Sequence, residues 1–181
     1  MDLFNYQPRR SHEVHIGNKP LGGQQPLRLQ SMTTTLTTDT EASVAQCIAI
    51  IEAGADYVRL TTQGVREAEN LRSIREALHR RGFDTPLVAD VHFNPKVADV
   101  AAGIVEKVRI NPGNYVDPAR TFKELEYTDE EYAAELARLE DRFVQLLDIC
   151  RAHGTAVRIG VNHGSLSDRI MCRYGETTAG L

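Results

Sequence analysis

Four short stretches of this sequence place polar residues where an apolar strand should be ending. "YVRLT" carries Arg59 and Thr61, "VADVH" carries Asp90 and His92, "VRIN" carries Arg109 and Asn111, and "VRIGVN" carries Arg158 and Asn162. Within each stretch the polar residues are an even number of positions apart. In an extended strand they therefore share one face, opposite Val58, Val91, Val108, Ile110, Val157 and Ile159. The guanidinium group is a planar fork of donors that fits phosphate bidentately, and His92 and Asn111 can add donors to it. Taken singly, each arginine has a plain structural reading as half of an internal ion pair, and His92 as a satisfied core histidine. As a group they resist that reading. Desolvation costs several kcal/mol per ion, and Asp90 is the single obvious partner. An anion supplies the compensation, and its chemistry is that of a phosphate or diphosphate ester.

The elements that must hold these residues alternate. After a loose arm, "EVHIGNKPLGGQQPLRLQSM" reads as a hairpin turning at Gly17-Asn18 and Gly22-Gly23, and "LRLQSM" reads as a first strand. The glycines there lack the G-K-[ST] ending of a phosphate loop. "TDTE" at 38–41 has the pattern of a capping box, with Val44, Ile48 and Ile51 on the helix face behind it. "DYVRLT" is a strand, and Val65, Ala68, Leu71, Ile74 and Leu78 give the next amphipathic helix. "PLVADVHF" is a strand. Asn94-Pro95 is an N-cap followed by proline at the first helical position, opening a short helix to Gly103. "IVEKVRI" is a strand. A helical excursion from about 114 to 154 follows, with a capping box "TDEE" at 128–131 and Tyr132, Leu136, Leu139, Phe143, Leu146 and Ile149 on one face. "TAVRIGVN" is the fifth strand, and Ser165 is placed to cap a last helix. The alternation predicts an α/β fold with about five parallel strands, part of a (β/α)8 TIM barrel or an open doubly wound sheet. A strand-turn-helix G-x-G-x-x-G is absent from the sequence, which disfavours the dinucleotide-binding version. In a barrel the polar face is the lumen at its C-terminal rim, where barrel active sites lie.

Composition bounds the partners. The chain has 181 residues, 41% hydrophobic and 25% charged, with a formal net charge of −4. That disfavours a general nucleic-acid surface and is enough chain for one domain. No apolar run approaches the roughly 18 residues of a membrane span. Cys47, Cys150 and Cys172 are far apart in sequence, which fits a reducing, cytoplasmic setting rather than a disulfide framework.

Taken in order, "QSMTTTLTTDTEASVAQ", "GADYVRLTTQG", "PLVADVHFNPKVA", "KVRINPGN" and "VRIGVNHGSL" closely resemble the N-terminal barrel of the 4-hydroxy-3-methylbut-2-enyl diphosphate synthase family. The resemblance spans about residues 12 to 175 and is interrupted by the 114–154 excursion. It implies a ferredoxin- or flavodoxin-dependent iron–sulfur oxidoreductase of the non-mevalonate isoprenoid pathway. The reaction is a reductive ring opening of 2-C-methyl-D-erythritol 2,4-cyclodiphosphate. Carried over by position, Arg59, His92, Arg109 and Arg158 bind the diphosphate and Asn162 lines the pocket. Asp90 and Asn111 match the family's motifs without an assigned task. The resemblance also implies a [4Fe–4S] cluster on a C-terminal domain, whose ligand cysteines are absent from this sequence. Residues 1–181 thus read as the N-terminal part of a substrate-binding barrel domain, inactive alone. Its open strand edges predict a homo-oligomer. Two other readings are a pterin- or phosphate-binding barrel of the dihydropteroate-synthase kind and a non-catalytic anion-binding or assembly module.

Overall fold

Runs of β-branched and aliphatic residues bounded by polar turns build the strands, and amphipathic segments between them build the helices. In the computed structural model, which describes residues 5, 9–92, 94–117, 126–161, 164, 166–175 and 177, the elements follow in the order β1 (Gln30–Met32), α1 (Thr40–Glu52), β2 (Tyr57–Thr62), α2 (Val65–Arg80), β3 (Leu87–Val91), α3 (Pro95–Ala102), β4 (Lys107–Ile110), α4 (Pro112–Tyr115), α5 (Asp129–His153), β5 (Ala156–Ile159) and α6 (Asp168–Tyr174). All strands are parallel and lie in sequence order, β1-β2-β3-β4-β5. The chain is therefore an α/β domain with a sheet that does not close, a partial barrel.

The two faces of the sheet differ as the residue alternation requires. Val58, Leu60, Leu87, Ala89, Val91, Val108 and Ile110 point to the helices and form the main core with Val44, Leu71, Ile74, Leu78, Val97 and Leu146. Burying each such aliphatic side chain stabilises the fold by about 1.5–3 kcal/mol. Helix α1 packs on α2, α2 on α3 and α3 on α5. The other face is the lumen. At its N-terminal end Ile16 from the arm packs with Tyr57, Val88 and Ala156, which closes the floor. Tyr57 Oη donates to the Lys19 carbonyl at 2.6 Å, tying arm to strand.

Several local expectations need correction. The N-terminal hairpin is reduced to one antiparallel bridge, Val14 with Leu21. The first strand is three residues, not six: Leu27 and Leu29 are exposed, Leu29 N is taken by the Asp56 carboxylate, and among the described residues no strand pairs with its outer edge. The cap of α1 is Asp39, whose carboxylate accepts from Ala42 N, rather than a Thr38 capping box. The carboxylate is the stronger acceptor for an orphan helical N–H. Asn94 caps α3 as expected. A short helix, α4, follows directly on β4, ahead of the expected start of the excursion. Residue Ser167 stands at the N-cap of α6, and Ser165 lies outside the described residues.

The 114–154 excursion contains two kinds of structure. The C-terminal half of α5 buries Leu146 and Cys150 in the main core, so it is the barrel's own layer. Gly154 ends it in the left-handed conformation at φ 68°, which a side chain would strain. The N-terminal half packs instead on α6. Arg169 pairs with buried Asp117 at 3.0 Å and lies over the Tyr132 ring, and Leu136 stays exposed. The capping box is formed: Glu131 N donates to Thr128 Oγ1 at 3.2 Å, and Thr128 N to Glu131 Oε2 at 2.9 Å. Thr128→Ala should therefore cost about 1 kcal/mol in urea unfolding, within the usual range for a lost N-cap. An unchanged midpoint would show that the outer half of α5 frays before the domain unfolds.

Candidate anion site

Register brings the polar residues together. Parallel pairing sets Thr61 beside Asp90, Asp90 beside Arg109 and Arg109 beside Arg158. These residues lie on the lumen face near the C-terminal ends of β2 to β5. Asp90 is 2% exposed and accepts from three sides. Arg59 Nη2 bonds Oδ2, His92 Nε2 lies 3.2 Å from the same oxygen, and Arg109 Nη1 reaches Oδ1 at 3.2 Å. Burial alone would raise the Asp90 pKa. The hydrogen bond and charge of Arg59, with those of His92, outweigh it and hold the carboxyl below the usual carboxylate range.

The residues differ in how far their bonding capacity is spent. Arg109, 7% exposed, also donates Nη2 to the Gly160 carbonyl at 2.9 Å. Gly160 makes room for it: a Cβ there would stand 2.2 Å from Arg109 Nε. Arg59 Nε is buried without a hydrogen-bond partner among the described residues. Arg158 is exposed and, among the described residues, makes no hydrogen bond or ion pair. Asn111 is buried, and its Oδ1 accepts from Gly113 N at 3.0 Å. It caps α4, so part of its capacity serves the backbone. Asn162 and His163 lie outside the described residues.

One further cation on this face was missed by the sequence reading. Lys107 stands two positions before Arg109 on the same face, 6% exposed, with Nζ 4.6 Å from the centre of the Tyr57 ring. Burial, then the charges of Arg158 and Arg59, push its pKa down to about 8. The alternation that revealed Arg109 and Asn111 also marks Lys107. Its position at the strand's start rather than its end concealed it. With it, among the described residues of this face, four cationic side chains, Arg59, Lys107, Arg109 and Arg158, stand against one carboxylate, that of Asp90. Such a surplus of donors and positive charge on one face of the sheet has the chemistry to receive a multiply charged anion.

The cysteines are placed otherwise. Cys47 and Cys150 are buried thiols on helices, and burial pushes their pKa values up to about 12 and about 11. Cys172 is exposed on α6. Among the described residues no group of three His, Cys, Asp or Glu side chains converges to hold a metal. These thiols do not fit an iron–sulfur cluster, which takes several convergent thiolates.

A family model, the GcpE TIM-barrel domain, matches residues 11–181. The 4-hydroxy-3-methylbut-2-en-1-yl diphosphate synthase (flavodoxin) of Phocaeicola vulgatus is 67% identical over 181 residues, which is 100% of this chain and 30% of the relative. The protein of the same name from Bacteroides fragilis is 69% identical over 181 residues, again 100% of this chain and 29% of the relative. That of Protochlamydia amoebophila is 48% identical over 179 residues, 99% of this chain and 27% of the relative. The chain thus spans less than a third of the length of these relatives. Among solved structures, a Xanthomonas albilineans dihydropteroate synthase aligns with a TM-score of 0.47 at 18% identity, covering 88% of this chain and 69% of that one.

Proposed function

The chain belongs to the GcpE TIM-barrel domain family, and from that premise we propose that it is the substrate-binding part of a 4-hydroxy-3-methylbut-2-en-1-yl diphosphate synthase. The observation that carries this reading is the cationic surplus around Asp90. Arg59, Arg109 and Arg158 from three strands, with His92, bind the diphosphate of 2-C-methyl-D-erythritol 2,4-cyclodiphosphate. The family resemblance assigns Asn162 to the same substrate, and Asn111 holds the β4–α4 turn. Asp90 fixes the Arg59 and Arg109 forks so that little ordering is left for the moment of binding. The overall reaction takes up two electrons and two protons, opens the ring and releases water.

A [4Fe–4S] cluster, held by cysteines of the longer protein, would relay the electrons, since the thiols described in this chain do not fit one. The donor named for the relatives is a flavodoxin, and we assign the same donor class here. What these residues do is bind and orient: they neutralise the diphosphate and so fix the position of the ring that it closes. We place the protein in the cytoplasm. Among the described residues no helix is long and apolar enough to cross a membrane. A pterin-binding barrel gains no support from the family match.

Calorimetric titration with the cyclodiphosphate, set against a pterin and plain phosphate, tests this reading. Arg109→Ala should weaken cyclodiphosphate binding by about 10- to 150-fold, the span of a lost hydrogen bond to a charged group. Arg109→Lys should recover only part, because an ammonium cannot form the bidentate fork. Gly160→Ala should reproduce part of the Arg109→Ala loss by displacing the guanidinium. Equal affinity in all these proteins would make Arg109 a structural residue, and tighter pterin binding would favour the other barrel chemistry.

We further propose that the chain self-associates through its open sheet. Among the described residues β1 and β5 each pair with one strand, and Leu29, Ile159 and Val161 are exposed beside those edges. Light scattering at micromolar concentration should give a mass above that of one chain. A monomer that unfolds cooperatively would show that the edges protect themselves.

A further inference from the structure

Lys107 is an ill-placed cation unless something compensates it. Register puts it level with Val88 on one side and Ala156 on the other, in the same layer as the apolar plug formed by Ile16, Tyr57, Val88 and Ala156. Its ammonium rests over the Tyr57 ring, and among the described residues it forms no ion pair with a carboxylate. Among the described residues, the charged and titratable groups sharing its face are Tyr57 and Arg59 on β2, Asp90 on β3 with His92 just beyond it, Arg109 on its own strand and Arg158 on β5. Asp90 is already taken by Arg59, His92 and Arg109. The N-terminal arm contributes Ile16 to this floor. Among the described residues the lysine is thus crowded by like charges and has no counter-ion.

We propose that Lys107 is a proton-linked floor of the anion site, one that takes up a proton when a diphosphate settles between Arg59, Arg109 and Arg158. The inference rests on the diphosphate-binding reading of that site. The physical reason is the sign of the field. In the free chain, burial and two arginines disfavour the ammonium, so part of the population is neutral near pH 8. A bound anion reverses the local field and favours the ammonium. Binding and protonation are then mutually reinforcing, as linkage requires. The lysine acts through the field and through its neighbours, so it is a positioning residue for the anion.

The experiment is titration of the chain with inorganic pyrophosphate at pH 8, by calorimetry in two buffers of different ionisation enthalpy. Pyrophosphate itself titrates in this range, so the Lys107→Met chain serves as the reference for the anion's own protons. Wild type should take up about half a proton more per anion than Lys107→Met. It should also bind severalfold tighter at pH 7 than at pH 9 after the same correction. Lys107→Arg keeps the charge but does not titrate here; it should retain affinity and lose the extra proton. A merely structural lysine would change affinity or stability without changing the proton count. Binding with equal proton counts in wild type and Lys107→Met overturns the inference alone. Absence of pyrophosphate binding by every chain overturns the anion-site reading and this inference with it.

Discussion

Asp90→Asn should destabilise the free chain by about 3–5 kcal/mol at neutral pH, the range for removing one partner from a buried ion pair. The carboxylate is almost fully buried, and Arg59, His92 and Arg109 all lean on it. An amide keeps the shape and one acceptor but removes the charge. Two guanidinium groups and a histidine are then left facing each other, with Arg158 and Lys107 nearby. Chemical unfolding monitored by circular dichroism measures the loss. Pyrophosphate should stabilise the variant more than it stabilises wild type, because the anion takes over part of the role of the missing carboxylate. The same carboxylate has a pH signature. Its pKa is held down in the folded state, so its stabilisation is present above the ordinary carboxylate range and is lost as pH falls through the folded value. Acid unfolding of wild type should therefore steepen in that window, and Asp90→Asn should lack that component. A variant as stable as wild type, with no differential response to pyrophosphate, would mean that the arginines find other partners when Asp90 is neutral.

The parts of this arrangement that were legible in the sequence are those governed by period. Two-residue alternation is enough to put Arg59, Asp90, Arg109 and Arg158 on one face, because a one-residue slip would expose Val58, Val108 and Ile110. Helical spacing located α2 and α5, and Asn94-Pro95 marked the start of α3. What alternation cannot give is pairing distance. From sequence, the three arginines read as aimed at an absent ligand. In the structure, Arg59 and Arg109 are spent largely on Asp90, and Arg158 keeps its capacity. Local competition was also hidden. Asp39 outcompetes Thr38 as a cap because a carboxylate is the better acceptor, and both residues sit within one turn of the helix start. The shortened β1 has a long-range cause, since a strand's length depends on the neighbour it pairs with. Leu27 and Leu29 read as strand residues but have none on the outer side. Lys107 was readable and was passed over. It lies at the start of "KVRINPGN", where a lysine ordinarily reaches solvent, and only the packing of Ile16 against Tyr57, Val88 and Ala156 closes that route.

That closed floor leads to the second large effect, an unusual alkaline stabilisation. A lysine whose folded pKa is about 8, against roughly 10.4 when unfolded, destabilises the native state wherever both states are protonated. Below pH 8 the penalty is borne in full. Between pH 8 and roughly 10.4 the unfolded chain binds more protons than the folded one, so stability rises with pH. Attraction to the Tyr57 ring opposes the penalty by about 0.5–2 kcal/mol. The net gain across the window should be about 1–3 kcal/mol. Lys107→Met keeps the length of the side chain, fills the same space and carries no charge. It should be more stable than wild type at pH 7, with the advantage shrinking steadily as pH rises to 10. Other groups that ionise in this range, the tyrosines among them, affect both proteins and cancel in the comparison. Urea unfolding of the two chains at a series of pH values measures the difference. Its slope with pH is the test, because loss of packing alone would shift stability by a constant amount. A difference that stays flat from pH 7 to pH 10 would show that the Lys107 ammonium reaches solvent past the Ile16 plug. A slope of the opposite sign would show that a counter-ion in the free chain already holds the charge.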